Sequence, residues 1–415
     1  MEIKTILNNV YKFKSFVYGN VRANKDFTEI EVDIHPRTNG HPICSCCGKE
    51  GPIHQTSTQA RRFTFIPLWN IQVFFLYRMR RVNCSSCGVK IEKIPWADGK
   101  SHTTEAFQCF LASWAKLLSW SDVAKQFKTS WENVYLSVKY VVKWGLANRI
   151  LTGIKSIGID EVSWRIGHTY LTLVYQIDSG SKRLLWIGKG RSTKTLLLFF
   201  RMFGKERSSL LLYVCSDMWK PYLKVIKKKA VNAINVLDRF HIMQKINKAI
   251  DVVRAEEHKR ITANGYDIMK NSRWCLLKRK ENLTEKQDAK LKELLKYNLK
   301  SVRSYLLRED FQGFWKYVSK SWADTFLKRW INRVMKSKIE PMKKVALTLR
   351  RHKELILNWF KVPSGISTGV VEGFNNKIKV TMRKSYGFKT FECAEIQLYH
   401  VLGNLPDPIL THKFS

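Results

Sequence analysis

The sequence lacks the features of a membrane-spanning or exported protein. No run approaches the roughly 20 consecutive apolar residues that a transmembrane helix needs. The first residues have neither the apolar core nor the small-residue cleavage site of a secretory signal. There is also no internal repeat and no low-complexity tail. We therefore expect a cytoplasmic protein that is built from globular domains and has no membrane partner.

Acidic residues are scarce relative to basic ones. The 415 residues contain 34 Asp and Glu against 73 Lys and Arg, which gives a formal net charge of +39. This excess is far larger than solubility requires and predicts a polyanionic partner, for which DNA, RNA and an anionic membrane are candidates. Hydrophobic residues make up 45% of the chain. A chain of this length and composition supports about two to four domains with sizeable cores.

Only nine cysteines are present, and four of them form two Cys-x-x-Cys-Gly motifs. One motif contains Cys44 and Cys47, and the other contains Cys84 and Cys87. In a reducing compartment such pairs bind metal more often than they form disulfides. The two motifs together predict a zinc site with four thiolate ligands. Cys46 leaves the register of the first motif ambiguous, and unliganded buried thiols are the alternative.

Two hairpins are predicted around the cysteine motifs. Residues 17–34 are expected to form the first hairpin, and residues 63–82 the second, which brings the two motifs together. Basic side chains flank the cysteines and either contact DNA phosphates or form a solvated basic face. These side chains are Arg61, Arg62, Arg80 and Arg81.

The spacing of residues 105–144 is typical of a helix-turn-helix. We expect a first helix over 105–119, a second over 121–127 with Ser121 as its N-cap, and a third over 131–144. In this motif the last helix enters the major groove of DNA. A three-helix packing module without a DNA role is the alternative, and the basic charge of the chain favours the DNA interpretation.

A sheet is predicted next. Three runs of β-branched and aromatic residues, separated by short turns rich in Gly and Ser, indicate an antiparallel meander. A helix and two further strands follow them. The expected strands cover 157–164, 170–177, 183–187, 210–215 and 233–237. The expected helix covers 192–203, with a Ser or Thr as its N-cap and Gly204 at its end.

Two acidic residues stand out in this sheet. Asp160 lies in the middle of an apolar strand, and Asp217 follows the end of another. If the strands are neighbours, both carboxylates face one crevice, where like charges coexist only beside a cation. Magnesium suits such a pair because it binds through one or two carboxylates plus substrate phosphates. The alternative is that Asp160 lies on an edge strand and that Asp217 is an ordinary helix N-cap.

The segment 242–360 is predicted to be helical from its apolar spacing of about 3.6 residues. Helices are expected over 242–263 and 342–360, and Thr284 and Gln287 fit a capping box. Lys and Arg are dense here, and tryptophans recur. The segment is either an amphipathic bundle with tryptophans in its core or an insertion that grips DNA.

The last long helix is predicted to open near residue 367 and to carry an apolar and a polar stripe. A carboxylate that precedes a row of basic side chains suits a metal-bound phosphate, with the rest of the nucleic-acid strand running along the helix. The alternative is that these side chains form a solvated face. The apolar stripe consists of Val371, Phe374, Ile378 and Met382. The polar stripe consists of Glu372, Asn376, Lys379 and Arg383.

Four motifs resemble the DDE transposases of the bacterial insertion-sequence family called ISL-three. They are GIDEVSW from Gly158, SDMWKPY from Ser216, LDRFH from Leu237 and STGVVEGFNNKIKVTMRKSYGF from Ser367. The resemblance covers nearly the whole chain. It implies a ribonuclease-H-like catalytic core, an N-terminal zinc domain, an all-helical insertion and a nucleoid-associated protein.

The same resemblance implies the catalytic residues. Asp160, Asp217 and Glu372 would hold two magnesium or manganese ions, which activate water or a 3′-hydroxyl and stabilise the leaving oxygen. Asp238 and His241 resemble an Asp-x-x-His signature, which places His241 near the scissile phosphate or the flanking base. A helix N-cap with a satisfied histidine is the alternative for this pair.

The expected architecture is multidomain, with α+β and α/β parts. A zinc-binding β domain over 1–100 precedes a helix-turn-helix over 101–150. A ribonuclease-H-like mixed-sheet core is expected over 151–245 and 361–415, and the all-helical insertion over 246–360 interrupts it.

These features predict a DNA transposase that binds the terminal inverted repeats of its insertion sequence and catalyses metal-dependent cleavage and strand transfer. Its expected partners are double-stranded DNA, at the transposon ends and the target, and at least one further copy of the chain, because two ends must meet. A non-catalytic, domesticated DNA-binding regulator is the alternative, but it would need no intact carboxylate triad. A structure-specific or RNA-guided nuclease with a similar core is the third possibility.

Overall fold

The chain is a mixed α/β protein with three sheets in the part that the structure describes. It divides into two compact units: Met1–Ile150 together with Thr381–Ser415, and Leu151–Val380. No helix among the described residues is long and apolar enough to cross a membrane. The computed structural model describes residues 2–98, 100–165, 167, 169–362 and 369–408, with the backbone alone at positions 369 and 372.

The first unit begins with one helix and seven strands. Apolar side chains alternate along the strands Glu29–Pro36 and Arg61–Leu68, so that one face of each of these two strands is buried. In chain order these elements are α1 (Ile3–Val10), β1 (Phe16–Ala23), β2 (Glu29–Pro36), β3 (Ile53–Thr56), β4 (Arg61–Leu68), β5 (Ile71–Tyr77), β6 (Arg80–Cys84) and β7 (Gly88–Ile91).

These strands form two sheets. One has the order β1-β2-β5-β4 and the other has the order β3-β6-β7. Both predicted hairpins are confirmed, because β1 pairs antiparallel with β2 and β4 pairs antiparallel with β5. The core of the first sheet contains Phe63, Phe75 and Trp96, which are fully buried.

Three helices follow, in the order that the spacing predicts. The N-cap of the second helix is Ser119 rather than Ser121, because Ser119 has an extended backbone and its Oγ accepts the N–H of Asp122 at 3.2 Å. Ser121 lies inside that helix. The three helices are α2 (Glu105–Ala115), α3 (Trp120–Gln126) and α4 (Trp131–Asn148).

The second unit is built on a five-stranded mixed sheet. The three predicted meander strands are confirmed, and each is slightly longer than its apolar run. Three helices lie between the later strands. In chain order the elements are β8 (Ser156–Arg165), β9 (Thr169–Asp178), β10 (Ser181–Lys189), α5 (Thr193–Phe203), α6 (Lys205–Ser209), β11 (Tyr213–Ser216), α7 (Lys220–Lys229) and β12 (Ile234–Leu237).

The strand order is β10-β9-β8-β11-β12. β8, β9 and β10 pair antiparallel, whereas β11 runs parallel to both β8 and β12. The predicted caps of α5 are confirmed: Ser192 Oγ accepts the N–H of Thr195, and Gly204 ends the helix at a φ of 90°. Phe199 and Leu196 bury the inner face of α5.

A largely helical segment follows β12, as predicted. The capping box of Thr284 and Gln287 is confirmed. Residues 342–360 do not form one helix, because the chain leaves helical geometry at His352. Short 3-10 turns join some of the helices. The helices are α8 (Arg239–Ala263), α9 (Arg273–Leu277), α10 (Glu285–Leu294), α11 (Lys300–Gln312), α12 (Lys320–Lys336), α13 (Glu340–Arg351) and α14 (Lys353–Leu357).

Some tryptophans of this segment are buried and others are exposed. Trp330 is 1% exposed, and its indole N–H donates to the carbonyl of Leu307 at 2.8 Å. Trp315 is also buried, whereas Trp274 and Trp322 are exposed. Packing in the hydrophobic core therefore explains only some of the tryptophans in this segment.

Two helices end the described chain, α15 (Gly369–Lys384) and α16 (Phe391–Leu402). Val371, Phe374 and Ile378 of α15 are buried, which confirms these positions of the apolar stripe. The boundary between the units falls inside α15, after Val380, so the segment expected over 361–415 is divided between them. Within the first unit, α16 packs on α4.

Candidate active site and metal centre

Four cysteine thiols meet in the first unit. The Sγ atoms of Cys44, Cys47, Cys84 and Cys87 all lie within 4.8 Å of one another, and those of Cys47 and Cys84 are 3.5 Å apart. Tetrahedral zinc with Zn–S bonds of about 2.3 Å needs sulfurs about 3.8 Å apart, so this donor set fits zinc. Cys46 is exposed and is not one of the four clustered thiols.

Tight turns bring each pair of thiols together. The glycine that follows each motif has a positive φ, 74° at Gly48 and 69° at Gly88, which glycine adopts without strain. In the second turn, the backbone of Ser86 and the thiol of Cys47 lower the pKa of Cys84 to about 7. The turn therefore favours the thiolate form of Cys84, which is the form that binds metal, whereas the neighbouring thiols of Cys47 and Cys46 raise the pKa of Cys87.

Asp160 lies in the middle of β8 and is 5% exposed. Its Oδ1 accepts the backbone N–H of Glu161 at 2.8 Å, and its Oδ2 accepts a hydrogen bond from the Nδ2 of Asn375 on α15. Asn375 also accepts the hydroxyl of Tyr175 at 3.2 Å. Two donors thus orient the buried carboxylate of Asp160, and Tyr175 in turn holds one of them, Asn375.

His241 lies between two carboxylates. Its Nε2 is 3.5 Å from Asp160 Oδ1 and 3.9 Å from Asp238 Oδ2. Asp238 is the N-cap of α8, where its Oδ1 accepts the N–H of Phe240 at 2.8 Å. Burial alone would lower the pKa of His241, but Asp160, Asp238 and Asp217 outweigh it and raise this pKa to about 9. Asp238 therefore caps α8 and at the same time lies beside His241.

Asp217 lies just beyond β11 and accepts the N–H of Trp219 at 2.8 Å, but the N-cap of α7 is Trp219. Arg191 joins Asp217 to Glu161: its Nη2 is 3.4 Å from Asp217 Oδ2, and its Nε is 2.8 Å from Glu161 Oε1. Burial and the charge of Asp217 raise the pKa of Glu161 to about 7. The carboxylate of Asp217 is therefore held by the guanidinium of Arg191 and by the backbone N–H of Trp219.

The structure brings Asp160, Asp217 and His241 into one electrostatic network, since both carboxylates affect the pKa of His241. Among the described side chains, however, only the four cysteines bring three or more ligand atoms within 4.8 Å. The backbone of Glu372 lies in α15, and its side chain falls outside the described residues.

The arginines expected to contact DNA differ in their surroundings. Arg80 is 7% exposed and forms a buried ion pair with Glu92, which also accepts the hydroxyl of Tyr77. Arg61 donates to the carbonyl of Ser101, and Arg62 pairs with a glutamate on β2. The exposed members of the predicted set are Arg62, Arg81, Asn376, Lys379 and Arg383.

Three residues of the site escaped the sequence reasoning. The sequence could have pointed to Glu161, because it is a second acidic residue next to Asp160 in an apolar strand. Nothing in the sequence points to Arg191 and Asn375, because they lie far along the chain from the carboxylates that they contact.

A buried carboxylate network and a four-thiolate cluster, on a strongly basic chain, define a protein equipped to act on nucleic acid. A family model described as a transposase, of the ISL-three group, matches residues 157–398. This is more than half of the chain, and the chain therefore belongs to the ISL-three family of transposases.

Two curated relatives agree with this family. The chain is 28% identical over 355 residues to the transposase of insertion sequence element IS1001 from Bordetella parapertussis, covering 84% of this chain and 86% of that protein. It is 28% identical over 421 aligned residues to the transposase of element IS1557 from Mycobacterium tuberculosis, covering 92% of this chain and 93% of that protein. The chain is an insertion-sequence transposase, and the general function of its family is DNA cleavage and strand transfer.

Proposed function

We propose that Asp160, Asp217 and Glu372 form the metal-binding triad of a ribonuclease-H-like core. The observation that carries this proposal is the register between β11 and β8. β11 runs parallel to β8 with Cys215 opposite Gly158, so Asp217 and Asp160 both follow this pair by two residues. Two carboxylates at the same level of adjacent strands face one crevice.

Sheet topology supports the same proposal. An antiparallel meander followed by two strands parallel to its first strand is the order expected for a ribonuclease-H-like core. Position 372 lies one helical turn before Asn375, which contacts Asp160, and positions three apart share a helix face. A carboxylate at position 372 therefore suits the third corner of the site.

The donor set fits magnesium or manganese, because hard divalent cations select carboxylate oxygens. When bound, the ions supply Lewis-acid activation of the attacking oxygen and charge for the leaving oxygen. The chain contributes preorganisation: Asn375 and the N–H of Glu161 orient Asp160, and Arg191 orients Asp217. We assign His241, which is partly exposed beside Asp160, to the scissile phosphate.

End recognition is assigned to the first unit and to the exposed face of α15. The zinc-binding segment 1–100 and the helix-turn-helix 101–150 would bind the terminal inverted repeats. Arg80 is omitted from this surface, because its guanidinium is already engaged by Glu92. The proposed DNA contacts are Arg61, Arg62, Arg81, Asn376, Lys379 and Arg383.

The proposed reaction cuts the transposon ends and joins them to target DNA. Two ends must be held together, so a homodimer or a larger homo-oligomer on DNA is proposed. The core is split in this scheme, with 151–245 and 361–415 as its two parts and 246–360 as a DNA-gripping insertion. The chain would work in the cytoplasm, on the nucleoid.

The test is carboxylate replacement with separate readouts for cutting and binding. Asp217→Asn, Asp160→Asn and Glu372→Gln keep side-chain size but remove a negative ligand, so each should reduce strand cleavage by orders of magnitude. End binding measured in calcium should stay nearly unchanged, and the three losses should not add. Asp267→Asn, at an exposed aspartate of the same unit, is the control. Cleavage by Asp217→Asn at near the wild-type rate in magnesium would contradict the triad.

A further inference from the structure

A cleft in the first unit lies outside the carboxylate site. It has a volume of about 880 Å³ and is lined by α3, the start of α4, the loop after α15 and the face of α16. This volume is within the range of about 300–1,000 Å³ that is typical of pockets for small molecules. A double helix is far too wide to enter such a cleft, but a single nucleotide or a short unpaired strand fits.

The cleft displays aromatic rings that a stable core would bury. Tyr386 is 100% exposed and Trp131 is 49% exposed. Tyr386 lies on a tight turn with a φ of 50°, next to Gly387 with a φ of 87°, so the backbone itself presents this ring to solvent. Exposed aromatic faces on a nucleic-acid-binding protein are platforms on which bases stack.

Trp131 packs against two other aromatic rings. Its ring stacks on Tyr135 with centroids 5.8 Å apart and an interplanar angle of 6°, and Trp120 lies 5.8 Å from it. Further along α4, the Nζ of Lys139 lies 2.5 Å from Glu392 Oε1, and this ion pair links α4 to α16. An aromatic ring that is already fixed loses little conformational entropy when a ligand stacks on its free face.

The charge around the rings suits a polyanion. Four cations line the cleft against one acidic side chain, Asp122, whose Oδ2 already accepts the hydroxyl of Ser119 at 2.6 Å. A positively charged groove with aromatic rings is the usual design of sites for single-stranded nucleic acid. The four cations are Lys125, Arg383, Lys384 and Lys389.

We propose that this cleft binds unpaired nucleotides of a DNA strand, with a base stacked on Trp131 or Tyr386 and the backbone phosphates on the surrounding lysines and arginines. The inference rests on the proposed function and deepens it, because cleavage at a transposon end leaves strand termini whose last nucleotides can unpair. The cleft would be a further subsite that shares Arg383 with the DNA contacts already assigned.

The test compares two DNA duplexes of the same sequence. One is fully paired, and the other ends in a short unpaired tail that carries the fluorescent base 2-aminopurine, which is quenched when it stacks. The wild-type chain should quench the tail and bind the tailed duplex more tightly. Tyr386→Ala and Trp131→Ala should restore the fluorescence and weaken binding of the tailed duplex at least about fivefold, the low end for one base–aromatic stack.

The control is Trp69→Ala, because Trp69 is 81% exposed in the same unit but does not line the cleft. Unchanged quenching in both cleft variants would overturn the proposal. Equal weakening of the paired and tailed duplexes would also overturn it, because the cleft would then be part of a double-strand surface. All binding is measured without added magnesium or manganese, so a wrong carboxylate assignment would leave these results unaffected.

Discussion

The Nε atom of Arg191 lies 2.8 Å from Glu161 Oε1, while the same guanidinium reaches Asp217 Oδ2 at 3.4 Å. Arg191 also lies over the ring of Trp219, with 4.5 Å between its Cζ and the ring centroid. One cation therefore offsets two acidic side chains in the crevice of the second unit. Without it, neighbouring like charges would repel each other in a partly buried site.

Replacing Arg191 should make the second unit depend on divalent metal for stability. In Arg191→Met, the charges of Glu161 and Asp217 lose their protein partner, so the melting temperature in a chelator should fall. Because a ligand that binds only the folded state stabilises it, magnesium should raise the melting temperature more in the variant than in the wild type. Lys194→Met, at an exposed lysine of α5, is the control. Equal magnesium shifts in variant and wild type would contradict this role.

The four-cysteine cluster should bind one zinc ion per chain. Cys84→Ser removes a buried ligand, so metal analysis of the purified full-length chain should find the zinc lost or much reduced. The matched control is Cys46→Ser, since Cys46 is exposed two residues from Cys44 but lies outside the cluster. Loss of zinc in Cys46→Ser with retention in Cys84→Ser would show that the ligand set is different. Zinc removal should also lower the melting temperature, because metal binding and folding are coupled.

Glu257 caps a helix from a distant part of the chain. It is 5% exposed and accepts the N–H groups of Lys300 and Ser301 at 2.9 Å each, together with the Ser301 hydroxyl at 2.6 Å. Glu257→Ala leaves these donors unpaired at the N-terminus of α11, so unfolding should become easier by about 2 kcal/mol. Urea unfolding followed by helical circular dichroism measures this loss. Glu256→Ala, at the exposed neighbouring position, should change stability little; an equal effect would rule out the cap.

Stability should fall below neutral pH because of His400. This histidine is 7% exposed on α16, and burial, with a contribution from Lys116, lowers its pKa to about 3. Between this value and the ordinary pKa of about 6.5, the unfolded chain binds a proton that the folded chain does not. The free energy of unfolding should therefore decrease by up to about 1.4 kcal/mol for each pH unit below that ordinary value.

His400→Leu removes this titration and should flatten the decrease in melting temperature between neutral and mildly acidic pH. Thermal unfolding at a series of pH values measures the slope. His54→Gln, at an exposed histidine of β3, should keep the wild-type slope. An unchanged slope in His400→Leu would assign the acid sensitivity to other groups.

The sequence by itself determined the local elements and the family. Runs of β-branched and aromatic residues predicted β8, β9 and β10, and short-range caps predicted the ends of α5 and the start of α10. The spacing of the cysteines predicted the thiolate cluster. These features depend on residues a few positions apart, whose geometry is dictated by backbone periodicity and turn chemistry.

Only the tertiary structure decided which distant residues meet. Asn375 contacts Asp160 from 215 positions away, and Arg191 contacts Asp217 from 26 positions away. The partner of Arg80 was likewise not visible in the sequence, because Glu92 pairs with this arginine only inside the fold. Strand order, loop closure and burial select such pairs, and no local pattern records them, because each side chain alone is compatible with many partners.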